Sequence, residues 1–231
     1  MSDTKMQQRP TPYIRRATAA DSPALSYICL ATANAGVSAT HLHSAGELPG
    51  LVYAEPYVHL PNSAGFVLVD PCKAKPEEVV GYVLCTADTR QFERDLVEKW
   101  YPPYLEKYPL SAIDVEKTDE TPPHLRDLKP DDAKYIKLIH NPQCASQICL
   151  DRSPAHMHIN ILPAYQGQGW GRKLIGKVVR FLGDEKGLDT LYLGLDPRNE
   201  NAKKFYSKVG FKEISEAPGV QMSLSFVDFK D

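Results

Sequence analysis

The sequence predicts a mixed α/β fold, in which a central twisted sheet is flanked by helices on both faces. Strand-like segments recur outside residues 87–154, and the clearest amphipathic helix, beginning at Trp170, follows one of them after a short loop. A content of 42% hydrophobic and 24% charged residues is typical of a globular domain. The 231 residues suit one domain. We therefore expect a flexible N-terminus over residues 1–10 and a single domain over 11–231.

The first third is predicted to supply a strand, a helix and a hairpin. A short strand is expected at 13–16. Asp21, Ser22 and Pro23 then combine an N-cap candidate with a first-turn proline, which predicts a helix from there to about residue 33. Residues 41–60 favour short helical pieces. Apolar runs predict strands at 65–70 and 79–86, joined by a loop over 71–78.

Proline is concentrated in the middle of the chain. Eight of the 19 prolines lie between residues 87 and 154. A structureless segment of that length is improbable inside a compact domain, so we predict an ordered Pro-rich insertion. Helices are expected at about 90–100 and 131–139.

The last third shows the most regular pattern. Residues 155–162 alternate between polar and apolar types, as a strand does. Apolar residues then recur at helical spacing from Trp170 to Leu182, and Gly183 and Gly187 are expected to end that helix. Strands are predicted at 190–195, 211–214 and 221–226, with a helix at 199–209.

Charge and composition exclude several classes of protein. The net charge of -2 argues against a nucleic-acid partner that needs a broad basic face. No run of 18 apolar residues is present, and the polar N-terminus lacks a secretory signal, so no membrane partner is expected. Five cysteines without a CxxC spacing indicate reduced thiols. We predict a cytoplasmic protein and leave a nuclear location and the oligomeric state open.

The segment from Leu162 to Arg172 carries the chemistry. Its closely spaced glycines lie between a strand and a helix N-terminus, where backbone N–H groups can converge on an anion such as a pyrophosphate. The spacing of Gly167, Gly169 and Gly171 is neither a dinucleotide fingerprint nor a P-loop.

At these residues the chain resembles the GNAT superfamily of acyl-CoA-dependent N-acyltransferases. The family's Q/R-x-x-G-x-G/A loop is matched by Gln166, Gly169 and Gly171. Its N-x-x-A-x-x-F-Y-x-x-x-G-F signature is matched by residues 199–211. The resemblance covers about a third of the chain and implies a GNAT-like fold, with the insertion preceding the strand that binds the cofactor, acetyl-CoA.

The resemblance also implies roles for individual residues. Backbone amides of the loop would hold the pyrophosphate, and Ile161 would pair with the pantetheine arm. Tyr206 would protonate the leaving thiolate, since the pKa of a phenol, about 10, is similar to that of the coenzyme thiol. No metal site is predicted, because His41 and His43 lack a third ligand. The implied cofactor-binding residues are Ile161, Leu162, Gln166, Gly167, Gln168, Gly169, Trp170, Gly171, Arg172, Asn199 and Tyr206.

The general base is less sharply indicated. His156, His158 and Asn160 alternate onto one face of the predicted strand. Either histidine could take a proton from an attacking amine, or could be an ordinary polar residue of a cleft wall. Asp88 is a weaker alternative that suits a turn equally well. Trp100, Tyr101, Tyr104 and Tyr108 form an aromatic cluster that is either local core or part of an acceptor pocket.

A narrower resemblance is visible upstream, in residues 81–84 and 106–108 and in Asp88, Phe92, Trp100 and Pro103. These are similar to the acetyltransferase-like domain of O-GlcNAcase and its free-standing bacterial relatives. Animal versions of that domain lack an intact pyrophosphate loop and are regarded as pseudo-acetyltransferases. This sequence keeps Gln166, Gly169 and Gly171.

The resulting hypothesis is an N-acetyltransferase that moves the acetyl group of acetyl-CoA directly to a primary amine. The acceptor, a small molecule or a peptide, is left open. The alternatives are an acetyl-CoA-binding regulatory module without turnover and a protein-interaction domain built on the insertion. We also expect residues 87–154 to cover the acceptor side of the cleft.

Overall fold

A computed structural model describes residues 10–74, 78–113 and 118–231. It contains the predicted mixed sheet with helices on both faces. The sheet has seven strands in the order β1-β2-β3-β4-β5-β7-β6. The expected flexible N-terminus lies outside the described residues except for Pro10. The strands are β1 (Tyr13–Arg16), β2 (Ser63–Val69), β3 (Val79–Thr86), β4 (His156–Ile161), β5 (Thr190–Leu195), β6 (Lys212–Glu213) and β7 (Val220–Ser225).

One junction of this sheet differs from the others. All neighbouring strands run antiparallel except β4 and β5, which are parallel. A parallel connection needs a crossover, and residues 162–189 supply it with a helix. The alternation of strand direction is therefore interrupted near the centre of the sheet, between β4 and β5.

Ten α-helices surround the sheet in the described part of the chain. The strongly amphipathic helix predicted at Trp170 is present, and a π-helical turn, Phe181–Glu185, extends it. Gly183 therefore lies inside the helix, and only Gly187, with a φ of 67°, follows its end. The helices are α1 (Ser22–Leu30), α2 (Leu48–Tyr53), α3 (Pro56–His59), α4 (Thr89–Asp95), α5 (Pro102–Lys107), α6 (Pro123–Arg126), α7 (Pro130–His140), α8 (Gln147–Arg152), α9 (Trp170–Arg180) and α10 (Glu200–Val209).

The two faces of the sheet bury separate cores. On one face, α1, α2 and α7 pack over Tyr82 and Leu84 of β3. On the other, α9 and α10 pack over Val83 of β3 and Met157 of β4. This alternation follows from the two-residue period of a strand. His156, His158 and Asn160 consequently share the face covered by α1, α2 and α7.

The Pro-rich segment between β3 and β4 is helical where it is described. It holds α4 to α8, and α7 contacts α2 on the first face of the sheet. Prolines occupy the first turns of α5, α6 and α7, where a missing N–H costs no hydrogen bond. None of the described helices is long and apolar enough to cross a membrane.

Candidate active site

The parallel strands β4 and β5 are joined at one point and separate beyond it. His156 opposite Tyr192 is the one register pair between them in the described residues, and Tyr192 N donates to the Ala155 carbonyl over 3.0 Å. The remaining five residues of β4 have no partner on β5, whereas all six residues of β5 pair with β7. A gap therefore opens between the two strands toward their carboxyl ends.

The register of β4 determines which main-chain groups face this gap. Leu162 N donates to the Val80 carbonyl over 2.9 Å, so the even-numbered residues of β4 exchange main-chain hydrogen bonds with β3. The main-chain groups of Ile159 and Ile161 point the other way, toward β5. The Ile161 carbonyl accepts from the Gln166 side chain at 2.8 Å. The N–H groups of both isoleucines and the Ile159 carbonyl face the gap. The sequence prediction named Ile161 and missed Ile159. Residues two apart on a strand direct their main-chain groups to the same neighbour, so Ile159 could have been inferred from Ile161.

The predicted loop joins the end of β4 to the start of α9. Gly167 and Gly169 have φ values of 72° and 81°, a conformation that side chains rarely adopt. A Cβ built on either glycine meets nothing within 4 Å, so open space lies in front of the loop. Residues 166–169 are exposed. Their backbone surrounds the N-terminus of α9, where unpaired N–H groups favour an anion.

Two further residues of the motif hold this loop in place. The Gln166 amide ties the loop back to β4 through the bond to Ile161. Gly171 lies where α9 approaches α10, and a Cβ on it would come within 2.8 Å of the Phe205 ring. Gly171 thus serves helix packing. Arg172 is exposed on the first turn of α9.

The second motif places Asn199 and Tyr206 on α10. The Asn199 side chain caps the helix by accepting from Ala202 N over 3.0 Å. Tyr206 is buried, and burial raises the pKa of its phenol well above the usual value. Its hydroxyl hydrogen bonds to none of the described residues. A buried phenol without a protein partner can bond a ligand.

His156 is fixed from both sides of its ring. Its Nε2 lies 2.7 Å from the Tyr57 hydroxyl and its Nδ1 lies 2.7 Å from Thr89 Oγ1. Burial lowers the pKa of His156 to about 3. The ring is therefore neutral near pH 7, with both nitrogens engaged, and it ties β4 to α3 and α4.

His158 lies between two tyrosines. Its ring stacks on Tyr53 with centroids 5.8 Å apart and on Tyr82 at 6.0 Å. Asn160 Nδ2 donates to the Tyr82 hydroxyl over 3.0 Å and lies 3.5 Å from His158 Nε2. Burial lowers the pKa of His158 to about 4. The polar row predicted on β4 thus forms part of an aromatic wall.

A cleft of about 340 Å³ lies beside the start of α10. The segment 33–42 forms one side, and a Cβ on Gly36 would lie 3.0 Å from Asn199 Nδ2. Sequence reasoning treated His43 only as a metal-ligand candidate and did not identify Tyr135. The lining residues are Ala33, Asn34, Ala39, Leu42, His43, Asp131, Lys134, Tyr135 and Arg198.

The remaining candidates have local structural roles. Asp88 caps α4 by accepting from Gln91 N. Tyr101 and Tyr108 are core residues, and Trp100 Nε1 donates to the Leu51 carbonyl, so the aromatic cluster is mainly local core. All five cysteines are free. No group of three or more metal-ligating side chains occurs within the described residues.

The chain belongs to the acetyltransferase (GNAT) family. The family model matches residues 40–211, which include both motifs and the gap between β4 and β5. A solved structure described as SsHAT superposes with a TM-score of 0.74 at 31% identity. That similarity covers 94% of this chain and 99% of the other.

Two curated relatives share a shorter region. The [ribosomal protein bS18]-alanine N-acetyltransferase of Haemophilus influenzae is 42% identical over 84 residues, which is 34% of this chain and 55% of the relative. The protein of the same name from Haemophilus ducreyi is 34% identical over 89 residues, covering 36% and 60%. The chain therefore spans just over half the length of these relatives.

Proposed function

We propose that this protein is an N-acetyltransferase that transfers the acetyl group of acetyl-CoA directly to a primary amine. The observation that carries the proposal is the gap between β4 and β5, which leads to a glycine loop at the N-terminus of α9. Free main-chain groups on one side and an anion-binding loop on the other suit a ligand with an amide-rich arm and a pyrophosphate.

Acetyl-CoA fits the groups that this site presents. Backbone amides of residues 166–172 would hold the pyrophosphate, with Gly167 and Gly169 giving it room. Ile159 and Ile161 would hydrogen bond to the pantetheine arm. When bound, acetyl-CoA supplies the thioester that the amine attacks. The site would be completed at the loop by Leu162, Gln168, Trp170 and Arg172. Asn199 would contact the ligand from the start of α10.

Tyr206 is proposed as the acid that protonates the departing thiolate. Its hydroxyl has no protein partner among the described residues, so a ligand can use it without breaking a bond inside the protein. The high pKa of the buried phenol keeps it protonated at neutral pH. His158 and His156 remain the residues that the sequence offers as a base. The fixed ring of His156 suits a positioning role better.

Direct transfer is favoured over a covalent acyl-enzyme because the cysteines in the two cores that flank the sheet, Cys29 and Cys85, are not activated. Burial raises the pKa of the Cys29 and Cys85 thiols to about 12, which makes both poor nucleophiles at neutral pH. The names of the curated relatives describe transferases, so they lend no support to a binding module without turnover.

The acceptor side of the site is proposed to be the face of the sheet that α1, α2 and α7 cover. His158, Tyr53 and the cleft at His43 all lie there, and the segment 87–154 supplies α7. The likeness to the O-GlcNAcase acetyltransferase-like domain, a single domain over residues 11–231 and a cytoplasmic location are retained as further parts of the proposal. The acceptor is a small molecule or a peptide bearing a primary amine.

Release of free thiol from acetyl-CoA, measured over a panel of amines, tests the proposal. The panel should hold an alkyl diamine, an amino sugar, an amino acid and a peptide with a free N-terminus. Thiol release with at least one amine, accompanied by mass gain on that amine, supports direct acetyl transfer. Acetyl-CoA binding without thiol release for any amine would favour the regulatory alternative.

A further inference from the structure

Acetyl transfer, as proposed above, requires a group that takes a proton from the acceptor ammonium. The two histidines on β4 are poorly suited to this task. Both ring nitrogens of His156 are hydrogen bonded. His158 is packed between tyrosines, and its lowered pKa makes it a weak base. Another group near the cleft must supply the base, and this inference rests on the proposed function.

His43 is oriented by a buried carboxylate. Its Nδ1 lies 2.8 Å from Asp132 Oδ1, while the other oxygen of Asp132 accepts from the backbone N–H groups of Ser44 and Lys129 at 2.9 Å. Burial alone would raise the pKa of Asp132, but these hydrogen bonds lower it below its usual value. An ionised carboxylate can only accept. Nδ1 of His43 therefore donates to Asp132, and in the neutral ring the lone pair is on Nε2.

His43 lines the cleft with a side chain that is only 2% exposed, and its second ring nitrogen has no protein partner among the described residues. Nε2 hydrogen bonds to none of the described residues, and it is not among the fully buried unpartnered atoms, of which Asp95 Oδ2 is the one example in the described chain. His43 lines the cleft together with Arg198, the residue next to Asn199. The Tyr135 ring packs edge-on against His43 at 5.2 Å and limits its rotation.

We propose that His43 is the general base of the transfer and that Asp132 positions it. Nε2 takes one proton from the acceptor ammonium, which leaves a lone pair on the amine nitrogen. The amine nitrogen then forms the C–N bond as the C–S bond of the thioester breaks. The thiolate takes the proton of Tyr206, and the nitrogen of the new amide loses its second proton through solvent to the phenolate. His43 then releases its proton to solvent, which restores the base. A carboxylate that fixes the tautomer and orientation of a histidine is a recurring way to prepare such a base.

The charges around His43 are balanced. Those that face it come from its own loop, from α7 and from the segment before α10. Asp131 pairs with Lys134, and Arg198 pairs with Asp196. Lys129 Nζ lies 3.4 Å from the His43 carbonyl. The titratable and charged groups to be considered in a pH profile are therefore Asp131, Asp132, Tyr135, Asp196, Lys129, Lys134 and Arg198.

The experiment compares His43→Gln with Asp132→Asn and with the control His59→Gln. Glutamine at 43 can still hydrogen bond to Asp132 but cannot act as a base. His59 also has a hydrogen-bonded ring, to Ser22 Oγ over 2.8 Å, but does not line the cleft. We expect His43→Gln to lower kcat/KM for an alkylamine at pH 7 by roughly 100-fold or more. The affinity for acetyl-CoA should change less than twofold, and His59→Gln should keep the wild-type rate.

The pH profile separates a base from a structural residue. The loss of kcat/KM in His43→Gln should become smaller as the pH rises toward the pKa of the alkylamine. At high pH the amine is already neutral, so no base is needed to remove its proton. A loss of kcat/KM that is the same at every pH, or a wild-type rate in His43→Gln, would overturn the proposal. Absence of amine turnover in the wild-type protein would contradict the proposed function itself, and this inference with it.

A second measurement needs neither catalytic turnover nor the His43→Gln variant, so it can be made even if that variant fails to fold. Nitrogen-15 spectra of histidine-labelled protein, without acetyl-CoA, report which ring nitrogen of each neutral histidine carries hydrogen. We expect the Nδ1–H tautomer for His43, and Asp132→Asn should alter that signal selectively. An Nε2–H tautomer at His43 in the wild-type protein would overturn the proposal, whatever the activity.

Discussion

His156 and Tyr192 face each other at the one point where β4 and β5 are paired in the described chain. The hydrogen bonds of His156 to Tyr57 and Thr89 hold the closed end of the gap. Beyond it, the N–H groups of Ile159 and Ile161 are left without strand partners. The site is thus an interruption of sheet pairing, anchored by a histidine that is fixed in place.

Replacing Gly169 with aspartate should abolish acetyl-CoA binding. The side chain would place a carboxylate in the open space before the loop, where the pyrophosphate is proposed to lie. Calorimetry should show no heat at cofactor concentrations that saturate the wild-type protein. Gly187→Asp is the matched control, because Gly187 also has a positive φ and open surroundings but lies after α9. Equal loss of binding in both variants would point to backbone strain instead.

Tyr206→Phe should slow turnover and spare binding. The change removes one hydroxyl and keeps the packing of the ring in the second core. If the phenol acts as the thiolate leaves, kcat should fall by roughly 10- to 1,000-fold, with an almost unchanged acetyl-CoA affinity. Tyr101→Phe, at another buried tyrosine, should keep the wild-type rate. A wild-type kcat in Tyr206→Phe would exclude this role for Tyr206 but would not contradict the proposed acetyl transfer.

Mild acid should destabilise the protein through the two half-buried histidines of β4. The pKa values of His156 and His158 are lowered to about 3 and about 4, whereas a histidine of the unfolded chain titrates near 6.5. Their contribution to the free energy of unfolding is complete above about pH 6.5. It is lost as the pH falls to about 4 for His158 and to about 3 for His156, because the unfolded chain binds more protons over that range.

Melting temperatures at pH 7.5 and pH 5 measure this effect. His158→Gln should lose less stability over that interval than the wild-type protein, by on the order of 1 kcal/mol after allowance for its partial exposure. If the variant and the wild-type protein lose the same stability, His158 is not held neutral by the fold.

Much of the framework could be predicted from sequence, because it depends on local patterns. Periodicity predicts α9 and β5, and the two motifs predict the loop and α10. The position of His43 could not be predicted, because its partner Asp132 lies 89 residues away on α7. Sequence also could not show that His156 is fixed by Tyr57 and Thr89, since a histidine in a strand looks the same whether its nitrogens are free or bonded.

Binding of the acceptor amine should depend on Tyr53, which stacks on His158 and packs edge-on against Tyr135. Tyr53→Ala removes this wall without touching the glycine loop. We expect a rise in the KM for the amine of roughly 10-fold, from the loss of apolar and aromatic contact area. Acetyl-CoA affinity should be unchanged. If Tyr53→Ala weakens acetyl-CoA binding but leaves the KM for the amine unchanged, the acceptor does not bind beside Tyr53.

We propose that the gap between β4 and β5 binds acetyl-CoA for transfer to an amine. A crystal structure of the protein with acetyl-CoA would show this, provided that protein dissolved from the same crystals releases thiol with a reactive amine. We expect the pyrophosphate against the amides of residues 166–172, the pantetheine arm along Ile159 and Ile161, and the thioester near Tyr206. Acetyl-CoA bound elsewhere, or a gap closed by pairing of β4 with β5, would contradict the proposal.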